Sequence, residues 1–307
     1  MGPADRVTSV FVNGPASWNT TVSLETLPAP VSATVFADRY ADGLGGTSAG
    51  KAVSLAALDV DITLRTLLGD DENGDKVRAA LAHPRIRLLG EVSRDGRTER
   101  HVNLLAADGS RLSVYLELPA PGRGSNLARE SRDALVAADV AVIDLSSHSV
   151  PFLTEARAAG VPVWCDVHDD DGLQDFQAPF RDGADVVLVS EARLADPRAY
   201  LRERVERGAR LAVCTRGARG AIALDGDGWI EVGTADAGPV VGADGAGDAF
   251  FAGLLRGHLD GLDVLASLRL ASAVGAISVT SDGLGAPQAT LDGARALAET
   301  VDARRTA

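Results

Sequence analysis

Residues 240–259 read VVGADGAGDAFFAGLLRGHL, a glycine-dense turn that delivers a carboxylate into the first turn of an apolar helix. Gly245, Ala246 and Gly247 leave backbone N–H groups unobstructed, and the helix that follows points its positive dipole end at whatever sits there. Such a turn is an anion site. Asp248 stands beside it, so a base adjoins a bound phosphate, the minimum equipment for phosphoryl transfer to a hydroxyl. A plainer reading competes, in which the aspartate merely caps the helix, worth about 1 kcal/mol. The run from Ala249 to Leu255 weighs against it, because a helix apolar on nearly all sides leaves a capping carboxylate poorly hydrated unless something polar arrives.

Upstream of this turn, from residue 134, apolar runs alternate with amphipathic ones: ADVAVIDL, the helix-like PFLTEARAAG, VPVWCDV and ADVVLVS. That alternation predicts a parallel sheet covered by helices, an α/β fold. ARLAVCT and GAIALDGDGWIEV follow as a strand and a hairpin turned at Asp225 to Gly228. Helices are predicted from about Ala246 to His258, Leu262 to Thr280 and Thr290 to Ala303. The N-terminal third differs. VTSVFVN at 7–13 reads as a core strand, but residues 19–40 and 98–117 read as alternating strands with polar faces and no helix of their own, the second turned at Asp108-Gly109. These two regions predict a small β-sheet lid, inserted at about 15–42 and 95–119 into one domain spanning 1–307. A lid suits phosphoryl transfer because the reaction must exclude water.

Composition narrows the partners. A formal charge of −13 with no Lys/Arg stripe excludes a nucleic-acid footprint. Cys165 and Cys214 are too few for a disulfide framework and read as reduced core residues. MGPADRV lacks the basic and apolar regions of a signal peptide, and no apolar run reaches membrane-spanning length, so a soluble cytoplasmic protein is expected.

Other stretches are weaker. Gly45 to Lys51 match the GxxxxGK of a P-loop, but Ala52 lacks the magnesium-binding hydroxyl and RYADGL is no buried strand. Gly45 and Gly46 fit instead a close backbone approach to a polyol at the start of a helix from about Ser48 to Leu58, or a plain glycine turn. CTRGARGA places Thr215, Gly217 and Gly220 between a strand and a hairpin arm, either a nucleotide edge or a simple turn. The run His168 to Asp171 reads as a solvated loop before it reads as a metal site.

In order, these pieces resemble the ribokinase-like (PfkB) carbohydrate kinases: Gly14 and Asn19, LPAP at 27–30, the Gly45-Gly46 helix entry, LLGDDENG at 67–74, the two lid segments, VPVWCDV, TRGARG, and the Gly-Ala-Gly-Asp helix with SVTSDGLGAP behind it. The resemblance implies a three-layer α/β/α body with a mostly parallel sheet and a β-sheet lid. It also implies transfer of the γ-phosphoryl group of ATP, with Mg²⁺, to a hydroxymethyl group of a sugar or nucleoside. Asp248 is then the base and Gly245, Ala246 and Gly247 the anion hole. Thr215, Gly217, Gly220, Ser190 and Ser272 border the nucleotide, while Asn19, Gly45 and Gly46 face the sugar. Relatives commonly pair lid strands between subunits, which implies a homodimer.

Four departures set this chain apart. Gly242 and Ala243 replace the usual Asp-Thr near the cation-binding region, and Ser190 and Arg193 replace the Asn and Glu that organise Mg²⁺ through water. Asn19 replaces a substrate-binding Asp, and Gly50 an Asn. A sugar kinase is therefore the first expectation, with a nucleoside kinase or a weakened ligand-binding protein on the same scaffold as the alternatives. A nicotinamide-dependent dehydrogenase is disfavoured because no GxGxxG follows the first strand.

Overall fold

Parallel strands buried on both faces must be apolar on both, and the runs VAVI, VVLV and LAVC of this chain obey that rule. In the computed structural model, which describes residues 9–107, 110–122 and 128–306, the chain begins with β1 (Ser9–Asn13), β2 (Ser17–Leu24), β3 (Arg39–Gly45) and α1 (Thr47–Ala57). Next come β4 (Asp61–Leu68), α2 (Glu72–Ala80), β5 (Ile86–Val92), β6 (Arg100–Ala106), β7 (Arg111–Glu117) and α3 (Arg129–Ala137). The body continues through β8 (Val140–Ile143), α4 (Val150–Ala159), β9 (Val163–Asp166), α5 (Ala178–Gly183), β10 (Val186–Ser190) and α6 (Pro197–Glu206). It closes with β11 (Leu211–Thr215), β12 (Ala221–Asp225), β13 (Gly228–Val232), α7 (Ala246–Leu259), α8 (Val264–Ser278), α9 (Leu291–Ala298) and β14 (Ala303–Thr306).

Among the described residues, ten strands form one sheet in the order β14, β13, β12, β11, β10, β9, β8, β1, β4, β5, parallel from β11 to β5 and antiparallel beyond. Alternation along each strand divides the core between two faces. Val10, Val12, Trp164, Leu188 and Val213 join α1 and α7, whereas Phe11, Cys165, Val187 and Cys214 join α4 and α6. The result is the expected three-layer body. Helix α7 is drawn unusually close to α8 because Gly253 and Gly257 share one face; a Cβ on either would come within 2.8 Å of Ala271 or 2.7 Å of Ser267.

The second sheet has four strands in the order β3, β2, β6, β7. Three sequence expectations change here. Strand structure does not run through 19–40, since residues 25–38 form no strand; Pro28 and Pro30 lack the N–H a ladder needs. A helix does cover part of this sheet, because α2 packs on β2 with the Lys76 ammonium 5.9 Å from the Trp18 ring. The last helix ends at Ala298 rather than Ala303, and the chain instead adds β14 to the open edge of β13, fixed by Arg305 on both oxygens of Asp225 at 2.8 and 2.9 Å. The turn at Asp108-Gly109 and the residues before Ser9 lie outside the described residues.

The run His168 to Asp171 is not uniformly solvated either. Asp170 is fully buried, accepting from Tyr200 Oη at 2.7 Å and Arg181 Nη1 at 3.2 Å, and so ties the loop after β9 to α5 and α6. No helix among the described residues is long and apolar enough to cross a membrane. Both cysteines are buried and free.

Beneath the loop between β8 and α4, Arg65 Nη1 lies 2.8 Å from His148 Nδ1, and its other nitrogen pairs with Glu91. Burial and the adjacent guanidinium push His148 down to about 3. An unfolded histidine binds its proton near pH 6.5. Between about pH 6.5 and about 3 the unfolded state therefore holds a proton that the folded state refuses, and stability falls as pH falls, by up to about 1.4 kcal/mol per unit. Equilibrium urea unfolding of His148→Gln should show a flatter decline than the wild type between about pH 6.5 and 5; parallel declines would contradict this.

Candidate functional site

Parallel α/β sheets place ligands at the carboxyl ends of their strands. Here that edge presents Asp144 just after β8, Asp166 ending β9, Ser190 ending β10 and Thr215 ending β11. Helix α7 begins opposite. Gly245, its N-cap, takes φ 74°, and a Cβ there would lie 2.4 Å from Gly285 N, so only glycine makes this turn. Nothing lies within 4 Å of a Cβ at Gly247, which leaves the helix N-terminus open on that side. The Ala246 N–H turns back to Ala243 O at 3.3 Å. The first helical bond, Ala249 N to Gly245 O at 2.9 Å, leaves the N–H groups of Gly247 and Asp248 without a backbone acceptor among the described residues.

Asp248 does not cap its helix. Its Oδ1 accepts from Thr47 Oγ1 at 2.5 Å and from Lys51 Nζ at 2.9 Å, both on α1. A Cβ at Gly50 would come within 2.6 Å of Oδ2, so the carboxylate lies flat against the helix backbone at this glycine. No hydrogen bond among the described residues engages Oδ2. Burial raises the proton affinity of Asp248, opposed by the Lys51 charge, reinforced by Asp166 and eased by Thr47 and His168.

Lys51 is the residue that sequence reading passed over. Its side chain is fully buried, with Nζ 2.9 Å from Asp144 Oδ1, 2.9 Å from Asp248 Oδ1 and 3.6 Å from Asp166 Oδ2. The approach to Asp144 Oδ1 is off the hydrogen-bonding direction, so that contact is ionic, and Ser48 supplies the aligned bond to Asp144 Oδ2 at 2.6 Å. Burial disfavours the Lys51 charge; the three carboxylates outweigh it and raise its proton affinity above that of a free lysine. Asp166 is correspondingly held below the usual carboxylate range, burial being outweighed by His168, Lys51 and the His168 N–H. The missed signal was a lysine set among the small and apolar residues of SAGKAVSLAAL, where a long charged side chain has to find its partners inside the protein.

The glycine pair also serves the packing around the helix entry. A Cβ at Gly45 would lie 2.0 Å from Asn19 Nδ2, and one at Gly46, with φ 92°, 2.4 Å from Pro15 O. Asn19 thus packs onto β3, and its Oδ1 accepts the His101 N–H at 3.1 Å. Register places Asn19, Glu99, His101, Asn103, Arg39 and Arg111 on one face of the small sheet. That face looks at the α7 turn, because Arg111 reaches Asp244 at 3.3 Å and Arg39 reaches Asp282 at 2.5 Å. Glu99, His101 and Asn103 are each less than 9% exposed, and the His101 ring lies 3.9 Å from that of Tyr115.

The nucleotide candidates other than Ser272 lie at or just after the ends of β10 and β11. Ser190 and Thr215 are register partners on β10 and β11. Gly217, at φ 55°, faces open space, while a Cβ at Gly220 would strike Val232 O at 2.0 Å. Ser272 Oγ donates to Gly233 O at 2.6 Å, so its hydroxyl is already engaged. Arg193 is held by Asp171 at 2.7 Å and Asp169 at 3.8 Å, and Ser190 Oγ accepts from Ala192 N at 3.3 Å. Neither suits a magnesium shell, and among the described residues no three His, Cys, Asp or Glu gather to hold a metal ion.

Residues 32–291 match the pfkB family carbohydrate kinases. The chain is 32% identical to acarbose 7(IV)-phosphotransferase of Actinoplanes sp., over 89% of this chain and 92% of that protein. It is 29% identical to ATP-dependent ribose-1-phosphate kinase of Halopiger xanaduensis, over 89% and 93%. Its fold superposes on the microbiome-derived acarbose kinase Mak1 with a TM-score of 0.82 at 25% identity, covering 96% of this chain and 99% of the other. Against Arabidopsis thaliana ribokinase complexed with ribose and ATP the TM-score is 0.77 at 20% identity, covering 96% and 99%.

The two glycines of the turn should respond differently to a methyl group. Gly245→Ala is expected to lower stability by about 1–2 kcal/mol, through its left-handed φ and the Gly285 collision. Gly247→Ala, with open space around it, should leave the melting midpoint unchanged or slightly raised. Equal losses in thermal unfolding would contradict the geometry.

Proposed function

Because the chain belongs to the PfkB family of carbohydrate kinases, and so is an ATP-dependent phosphotransferase to a sugar hydroxyl, we propose that Asp248 is its catalytic base. Asp248 Oδ2 takes the proton of a hydroxymethyl group, whose oxygen forms a bond to the γ-phosphorus of ATP as the bond to the β–γ bridging oxygen breaks and ADP leaves. The N–H groups of Gly247 and Asp248 and the α7 dipole stabilise charge on the transferred group. The single observation that carries this reading is the Asp248 carboxylate, fixed through Oδ1 with Oδ2 unengaged, at an open helix N-terminus.

ATP is proposed to lie along the ends of β10 and β11, past Ser190, Thr215, Gly217 and Gly220, toward Ser272. Mg²⁺ enters with the nucleotide phosphates and not on a protein carboxylate cluster. The small sheet acts as the lid, its buried Asn19, Glu99, His101 and Asn103 facing the sugar hydroxyls beside the Gly45-Gly46 entry. Its opposite face exposes Tyr40, Leu112, Val114 and Leu116, the surface through which two lids would pair in a homodimer.

The acceptor we favour is an unphosphorylated sugar, with acarbose, named in two of the relatives, as the first candidate. A sugar phosphate needs an unpaired cation under the lid. Arg39, Arg97 and Arg111 are instead paired with Asp282, Glu117 and Asp244, and Arg100, which has no such partner among the described residues, alternates with Glu99 and His101 onto the opposite face of the small sheet. ADP release measured across unphosphorylated sugars, acarbose, nucleosides and ribose 1-phosphate should be strongest with an unphosphorylated sugar; preference for ribose 1-phosphate would overturn the acceptor class. With the best acceptor, Asp248→Asn should lower kcat by at least about 10²-fold while the KM for ATP stays within about threefold. Undiminished turnover would remove Asp248 from the mechanism.

A further inference from the structure

Lysine is rare in this chain. Of its 30 Lys and Arg residues only Lys51 and Lys76 are lysine. Lys76, partly exposed on α2, pairs with Glu72 at 2.7 Å. Lys51 alone is buried, on a helix whose first turns face the candidate base. An ammonium is a compact point charge with three donors, and it fits where a planar guanidinium fork would not.

Its surroundings account for the whole neighbourhood of Asp248. Helix α1 contributes Thr47, Ser48 and Lys51; the end of β8 contributes Asp144; β9 and its loop contribute Cys165, Asp166 and His168; α7 contributes Asp248 and the Phe251 ring, 5.0 Å from Nζ. Three carboxylates thus share one ammonium. Thr47 accepts a second bond from Nζ at 2.5 Å while donating to Asp248 Oδ1, closing a triangle that fixes that oxygen. A structural ion pair needs one carboxylate, and Asp144 supplies it. The additional contact with Asp248 constrains the group that must receive a proton.

We propose that Lys51 is a positioning residue for phosphoryl transfer: anchored on Asp144 and Asp166, its ammonium pins Asp248 Oδ1, leaving Oδ2 to face the acceptor hydroxyl. This rests on the reading of Asp248 as the base. Burial and Asp166 both favour the protonated acid, and Lys51 is the largest influence against them. Removing the ammonium therefore raises the proton affinity of Asp248. A protonated base is inactive, so the acid limb of the pH–rate profile moves to higher pH.

The test compares wild type, Lys51→Gln and the double variant Lys51→Gln/Asp144→Asn. Lys51→Gln leaves three buried carboxylates without a cation and is prone to unfold. The double variant keeps the wild-type net charge of the cluster and still lacks the ammonium. In a folded variant the acid limb of kcat/KM is expected to rise by about one pH unit or more, with roughly tenfold loss below the limb and recovery at alkaline pH. The KM for ATP should be unchanged. A folded variant whose limb stays at the wild-type position overturns the proposal, whatever its absolute rate.

If neither variant folds, [¹⁵N]lysine NMR of the intact enzyme decides, since the chain yields only two side-chain signals. Lys51 should remain an ammonium past the pH at which a free lysine loses its proton, and its resonance should move in Asp248→Asn while that of Lys76 does not. A Lys51 signal indifferent to Asp248→Asn overturns the proposal. The two failures are separable. Full turnover of Asp248→Asn defeats the base assignment itself, whereas an inactive Asp248→Asn with an unmoved limb in the lysine variants defeats only the role of Lys51.

Discussion

One buried ammonium is the point on which this site closes. The ends of β8 and β9 and the first turn of α7 each deliver a carboxylate to the same space, and α1 answers with Lys51. Taking four ionised groups out of water costs several kcal/mol apiece before their mutual attraction offsets it. Such a cluster survives only where packing holds it together and hydrogen bonds satisfy what charge does not. Ser48 and Thr47 supply those bonds, and Phe251 and Trp164 close the apolar side with their rings 5.8 Å apart.

The fold provides this geometry through its smallest residues. Gly50 lets the Asp248 carboxylate lie against α1, Gly245 lets the chain pass Gly285, and Gly253 and Gly257 let α7 sink against α8. The lid depends on the same economy of volume, since Gly45 leaves room for Asn19 and so brings β2 close to the helix entry. Arg39 and Arg111 then tie the lid face to the loops flanking the turn. Partly exposed ion pairs of this kind contribute little stability each, so the lid is held lightly, as an element that must open for substrate should be.

Much of this was legible in the sequence, and the parts that were not share a cause. The turn at 245–248 was readable because glycines, a carboxylate and a helix signal are neighbours in the chain. The strand-helix alternation after residue 134 was readable because its periodicity is local. Lys51 and Asp248 lie 197 residues apart, and Asp144 and Asp166 look like ordinary strand ends until the sheet places them side by side. Residues 25–38 misled in the opposite way, their apolar spacing suggesting strand where two prolines remove ladder donors.

The central claim is that Asp248 Oδ2 receives the acceptor's proton while Oδ1 stays fixed by Thr47 and Lys51. A crystal structure of the enzyme with a non-hydrolysable ATP analogue and its best sugar acceptor measures this directly. The account predicts the hydroxymethyl oxygen within about 2.6–3.2 Å of Oδ2, with the analogue's terminal phosphate at the Gly247 turn. A hydroxymethyl group out of reach of Oδ2, or a terminal phosphate bound away from that turn, would contradict it.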